Sequence, residues 1–173
     1  MSPPPDDQDT FIRAALRDHE RPLLRYATRL LTEPERARDV VQDTFTKLCR
    51  QPPEQIDGHV AEWLFTVCRR GALDVLRKEN RMTRFEEGQA ERLVSAEPAP
   101  TVQAERHESW QRVVALLDRL PHNQQEVVRL KFQDGFSYKE IAAITRLSIG
   151  NVGFLLHTAL ATLRREMTRA GAA

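Results

Sequence analysis

Cysteine is nearly absent from this chain: its 173 residues include two, Cys49 and Cys68. They have neither a CxxC pair nor a Cys/His spacing suited to zinc, and two thiols cannot build a disulfide framework. Glycine is also scarce, at seven, and the ten prolines gather near the N-terminus and in one later stretch. Long Leu, Ala, Arg and Glu runs fill the rest, a composition that favours helix over sheet. No run approaches the roughly 18 apolar residues of a membrane span. Residues Met1 to Asp7 are acidic where a secretory signal would be basic and then apolar. The absences together point to an all-α protein in a reduced, cytoplasmic setting, without membrane insertion. No phosphate loop, metal cluster or nucleophile with its base is legible, so no catalysis, cofactor, metal or small-molecule substrate is expected.

The charge that is present is unevenly placed. The chain nets +1, but residues 1–9 carry −3, 10–84 carry +4, 85–109 carry −4 and 110–173 carry +4. Two basic helical blocks joined by an acidic segment suit two modules that touch one polyanion and a strap that does not. Ordinary solvated surface charge explains the same arithmetic equally well. The expected organisation is a disordered N-terminus (1–9), a helical domain (10–84), a flexible acidic linker (85–109) and a second helical domain (110–170).

Apolar spacing supplies the elements. Phe11, Ile12, Ala15 and Leu16 precede Pro22, and Leu23, Leu24, Ala27, Leu30 and Leu31 follow it, giving two short helices or one kinked helix. Thr32-Glu33-Pro34-Glu35 reads as a capping box opening a helix to about Cys49, with Ala37, Val40, Val41, Thr44, Phe45 and Leu48 inward. Arg38, Asp39, Gln42 and Asp43 lie on its opposite face. Gln51 to Gly58 reads as a loop, because Pro52 and Pro53 stop the helix. From about His59 to Arg81 a stripe of Val60, Trp63, Leu64, Val67, Gly71 and Val75 faces inward, with a neighbouring apolar edge at Ala72, Leu73 and Leu76, making Trp63 a core residue before a stacking platform.

Beyond the linker, Trp110 to Leu120 and Gln124 to Gln133 form two helices, with Val127, Val128, Leu130 and Phe132 offered to the core, and Asp134-Gly135 turns the chain. Ser137-Tyr138-Lys139-Glu140 is a capping box before Ile141, Ala142 and Ile144, and Leu147-Ser148-Ile149-Gly150 is a tight turn into a final helix. There Val152, Leu155, Leu156, Ala159, Leu160 and Leu163 face inward, leaving Gly153, Phe154, His157, Thr158 and Ala161 outward. This is a helix-turn-helix signature, whose second helix suits the major groove of DNA. A purely structural helical hairpin would show the same pattern.

The segment LPHNQQEVVRLKFQDGFSYKEIAAITRLSIGNVGFLLHTALATLRR, from Leu120 to Arg165, resembles region four of the sigma-70 superfamily. RYATRLLTEPERARDVVQDTFTKLCRQ, from Arg25 to Gln51, with WLFTVCRRGALDVLRKENR, from Trp63 to Arg81, resembles region two of the extracytoplasmic-function (ECF) sigma factors. The resemblance implies a bacterial initiation factor that binds core RNA polymerase, directs it to promoter DNA and helps melt it, with an anti-sigma factor as a further partner. It implies that Asp39, Gln42 and Asp43 dock on the polymerase. Arg69, Arg70, Arg77, Lys78 and Arg81 would meet the minus-ten DNA. Ser137, Tyr138, Lys139, Asn151, Gly153, Phe154, His157 and Thr158 would meet the minus-thirty-five element.

The chain also departs from the family. Arg38-Asp39 stands where two acids are frequent, and Arg70 stands where Asn is usual. Where the recognition helix commonly reads TVKSRLHRA, this chain has Asn151-Val152-Gly153-Phe154-Leu155-Leu156-His157-Thr158-Ala159, with Gly153, Leu155 and Thr158 at cationic positions. Guanine and phosphate contacts are lost with those cations, so direct readout of the minus-thirty-five element should be weaker or unusual in sequence. Phe154 is left to a thymine methyl, a partner protein or the polymerase. A competing expectation is a helix-turn-helix regulator that binds a palindromic operator without polymerase; it uses the same C-terminal residues and leaves Arg25 to Arg81 without a role.

Overall fold

The computed structural model describes the backbone of residues 5–86 and 104–171 and the side chains of residues 8–82 and 111–169. Among these residues there are eight helices and no strand. The chain divides into two units, Met1–Ala96 and Glu97–Ala173, within the stretch expected to be the linker. Helices enter that stretch from both sides, and its residues 87–103 lie outside the described residues.

The first unit comprises α1 (Pro5–Leu31), α2 (Pro34–Leu48), the single turn α3 (Pro53–Ile56) and α4 (Val60–Glu86). α1 begins inside the stretch 1–9 that was expected to be disordered. Proline suits a first helical turn, where its missing N–H leaves nothing unpaired, and Gln8 Nε2 donates to the Cys49 carbonyl at 3.0 Å. The helix also passes through Pro22 as one element. Burial of Ala15, Leu23, Tyr26, Ala27 and Leu31 against α2 and α4, at about 1.5–3 kcal/mol per large side chain, outweighs the roughly 3 kcal/mol of an interior proline.

The capping box expected at Thr32 does not form. Thr32 ends α1 in the left-handed region at φ 60°, and its hydroxyl donates to the Leu31 carbonyl at 2.6 Å. Glu33 is the N-cap of α2, without a side-chain cap bond, and Pro34 takes the first helical position. The expected inner face of α2, from Ala37 to Leu48, is buried. The supposed loop after α2 contains α3, because Pro52 and Pro53 pre-set the dihedrals that start a helix.

On α4 the buried line is rotated from the expected stripe. Leu64 of that stripe and Ala72 of the apolar edge beside it are buried together with Phe65 and Cys68, whereas Trp63, Val67 and Val75 are only partly buried. The Phe65 ring meets the Tyr26 ring of α1, centroids 5.1 Å apart and tilted by 41°. Two aromatics seeking one another across helices decide which side of α4 turns in. Arg36 on α2 pairs with Glu33 at 2.6 Å and also with Glu79 on α4.

The second unit comprises α5 (Ala104–Leu117), α6 (His122–Phe132), α7 (Tyr138–Thr145) and α8 (Ile149–Gly171). α8 packs against the other three. Gln125 Nε2 donates to the carbonyls of Leu120 at 2.7 Å and Asp118 at 3.2 Å, and Arg129 pairs with the Asp118 carboxylate at 2.8 Å. The two Gln125 bonds satisfy carbonyls that the end of α5 leaves open. Phe132, expected in the core, is 63% exposed, and Phe136 is buried in its place. Gly135 at φ 79° reverses the chain, and Phe136 N–H returns to the Leu130 carbonyl at 3.0 Å, which carries the second ring inward.

Candidate nucleic-acid interface and docking face

In the second unit, local hydrogen bonds aim two helices. The capping box at the start of α7 is complete: Glu140 N–H donates to Ser137 Oγ at 3.2 Å, and Ser137 N–H donates to Glu140 Oε2 at 2.7 Å. α7 ends at Arg146, which sits in the left-handed region at φ 60°. The turn therefore falls at Arg146 to Ser148, earlier than expected, and Ile149 and Gly150 already belong to α8. Ser148 opens that helix, its Oγ accepting from Asn151 N–H at 3.1 Å.

α8 buries Val152, Leu155, Leu156, Ala159 and Leu163, as its period requires, while Leu160 is half-buried. Its outer face consequently shows Asn151, Phe154 and His157 exposed, with Gly153 and Thr158 partly exposed. Leu155 is 7% exposed, so an apolar residue there belongs to the core and takes nothing from a groove contact. The Tyr138 ring lies over Gly153, with Cε2 3.6 Å from where a Cβ would stand. Lys131 Nζ sits 5.5 Å from the centre of that ring, a cation–π contact, and donates to the Phe136 carbonyl at 3.3 Å. Lys139 and Arg146 are exposed on the same helix pair. Lys131 and Arg146 were not singled out from sequence, since their placement beside this face depends on the turn and on Tyr138.

In the first unit, Asp39, Gln42 and Asp43 are exposed on the outer face of α2, opposite Val40, Val41 and Phe45. Lys47 pairs with Asp43 at 2.7 Å across one helical turn. Beside this face a groove of about 460 Å³ runs between α1 and α2, with Leu16, Leu24, Val41 and Phe45 on its walls and Arg38 and Gln42 at its edge. On α4, Arg70, Arg77, Lys78 and Arg81 are exposed and share one helical face by their spacing. Asp74 interrupts it, accepting from Arg77 at 3.2 Å. Arg69 is half-buried and stands off that face. Trp63 is partly buried, beside the fully buried Leu64 and Phe65.

Two burial effects on protonation stand out. Desolvation pushes the Cys68 thiol up to about 12, with a Thr44 hydrogen bond opposing it, and partial burial lowers His19, with Asp18 opposing.

Comparison with known proteins supplies the family. The chain matches the family models for sigma-70 region 2 over residues 15–82 and sigma-70 region 4 over residues 110–163. It is 30% identical over 128 residues to the ECF RNA polymerase sigma factor EcfG of Rhodopseudomonas palustris, covering 73% of this chain and 68% of that one. It is 29% identical over 167 residues to the ECF RNA polymerase sigma factor SigL of Mycobacterium tuberculosis, covering 93% and 91%. Its fold is similar to that of the sigma factor RpoE of Bartonella quintana, solved in complex with the anti-sigma factor NepR. There the TM-score is 0.66 at 24% identity, over 94% of this chain and 97% of that one.

The chain belongs to the ECF subfamily of the sigma-70 family of RNA polymerase sigma factors. It is an alternative sigma factor that directs RNA polymerase. The operator-binding regulator is not favoured, because region 2 accounts for residues 15–82, which that reading left idle. No described helix is long and apolar enough to cross a membrane.

Proposed function

We propose that this sigma factor acts in the cytoplasm, without catalysis of its own, and divides its work between its two units. Asp39, Gln42 and Asp43 dock on core RNA polymerase, and the apolar groove between α1 and α2 continues that surface. Arg70, Arg77, Lys78 and Arg81 hold the phosphates of the minus-ten region, with Arg69 at their margin. Ser137, Tyr138, Lys139, Asn151, Gly153, Phe154, His157 and Thr158 form the face that meets the minus-thirty-five element. An anti-sigma factor is the further partner, as in the solved complex of RpoE with NepR.

The observation that carries this reading is the pairing of an exposed acid and amide face on α2 with an exposed cation row on α4, in one unit. Opposite chemistries on neighbouring helices suit two partners, a basic protein surface and a polyanion. Run-off transcription with purified core polymerase tests it, comparing the wild type with the Asp39→Ala/Asp43→Ala double variant on a promoter library. Promoter-specific transcripts are expected from the wild type and their loss in the variant. Transcripts that persist undiminished refute the docking assignment.

A further inference from the structure

The outer face of α8 has an unusual chemistry for a helix that enters DNA. From Ile149 to Leu163 it carries no Lys or Arg, and it leaves the Phe154 side chain 66% exposed. Guanine presents two acceptors in the major groove and is best matched by Arg or Lys; adenine presents an acceptor and a donor, matched by Asn; thymine presents a methyl group, matched by apolar side chains and the Thr methyl. α8 offers Asn151, Phe154, His157 and Thr158, and thus lacks the Arg or Lys that best matches guanine.

We propose that this face reads a minus-thirty-five element of consecutive A·T pairs, with Asn151 on an adenine edge and Phe154, flanked by Thr158, on thymine methyl groups. Residues three apart on a helix are separated by about 4.5 Å along its axis, close to the roughly 3.4 Å between successive bases, so Asn151 and Phe154 address neighbouring pairs. Cations hold the frame from outside the reading face. Lys139 on α7 and Arg146 in the turn are exposed, placed to meet phosphates, which position without specifying. The Tyr138 ring lies beside Gly153, its Cε2 3.6 Å from where a Cβ would stand. The exposed Lys139 and Arg146 beside this surface favour a polyanion over an apolar protein partner for it.

The inference rests on the sigma-factor reading and deepens it. Holoenzyme reconstituted from the full chain and core polymerase is used to select duplex promoters randomised over the minus-thirty-five positions. The recovered element is then resynthesised with deoxyuridine for single thymines, which removes the methyl group alone. A·T pairs at adjacent positions are expected, with about a fourfold loss of affinity on deoxyuridine at one of them, the worth of one buried methyl. Phe154→Ala should bind the thymine and deoxyuridine duplexes equally. Because Phe154 is exposed, that variant keeps the core intact, and an unchanged circular dichroism spectrum confirms it. A guanine-rich element, or wild-type indifference to deoxyuridine, overturns the inference and leaves the sigma factor standing. So does a Phe154→Ala variant that selects the same promoters yet no longer binds an anti-sigma protein. If the chain neither binds core polymerase nor selects any promoter, both readings fall.

Discussion

Replacing Gly71 by alanine should destabilise the first unit, although alanine is the better helix former. In a helix interior Gly→Ala is worth about 0.5–1 kcal/mol in favour of alanine. At Gly71, however, the new Cβ would stand 3.2 Å from Val40 Cγ1, closer than methyl groups pack. Val40 is buried on α2 and β-branched, so one χ1 rotamer dominates in a helix and it cannot swing aside. Overpacking of this kind costs roughly 1–3 kcal/mol, leaving a net loss of up to about 2.5 kcal/mol. Gly153 is the internal control. A Cβ there meets Tyr138 at 3.6 Å, an ordinary contact, and Gly153→Ala should stabilise the second unit by about 0.5–1 kcal/mol.

Urea unfolding in a Trp110→Phe background reads the first unit alone, because Trp63 is then the one tryptophan of the two in the chain that remains. Hydrogen exchange of α8 amides reads the second. The midpoint should fall for Gly71→Ala, and α8 protection should rise for Gly153→Ala. Equal stabilisation by both substitutions would refute the claim that α2 and α4 approach through this glycine.

Other consequences follow from the same geometry. Ser137→Ala removes one half of the capping box and should cost about 1 kcal/mol, visible as a lower midpoint of the second unit; an unchanged midpoint would show the cap to be idle. His19 is held below its ordinary value of 6.5 by burial, so the unfolded chain binds the proton first. Stability should therefore fall as pH drops through about 6.5 and level off below the lower folded value. His19→Gln should flatten that part of the urea midpoint's pH profile; an equal slope in both proteins would count against it. Cys49 is exposed and Cys68 buried. A thiol reagent at pH 8 should modify one of the two in the native protein and the second only in denaturant; prompt reaction of both would contradict the packing of α4.

Which residues of the candidate site are exposed was largely legible in the sequence. The α2 face carrying Asp39, Gln42 and Asp43, and the α8 face carrying Asn151, Phe154 and His157, follow from a 3.6-residue period alone, because each helix buries a single apolar stripe. The box at Ser137 forms as read. A similar pattern at Thr32 does not, because the chain leaving α1 takes the left-handed conformation there, so Thr32 cannot adopt the extended backbone of an N-cap.

What the amino-acid order determined by itself is therefore local: a helical chain, most of its starts and stops, and the polarity of helices with one apolar stripe. Where a helix carries apolar residues on more than one side, only packing could choose. α4 turns Phe65 and Cys68 inward and leaves Trp63 half-exposed because Tyr26 of α1 lies where it does. Phe136 displaces Phe132 from the core because Gly135 reverses the chain between them. Lys131 and Arg146 join the α8 neighbourhood through a ring contact and a turn. Such choices are relations between residues distant along the chain or beyond a turn, and periodicity within one helix carries no information about them.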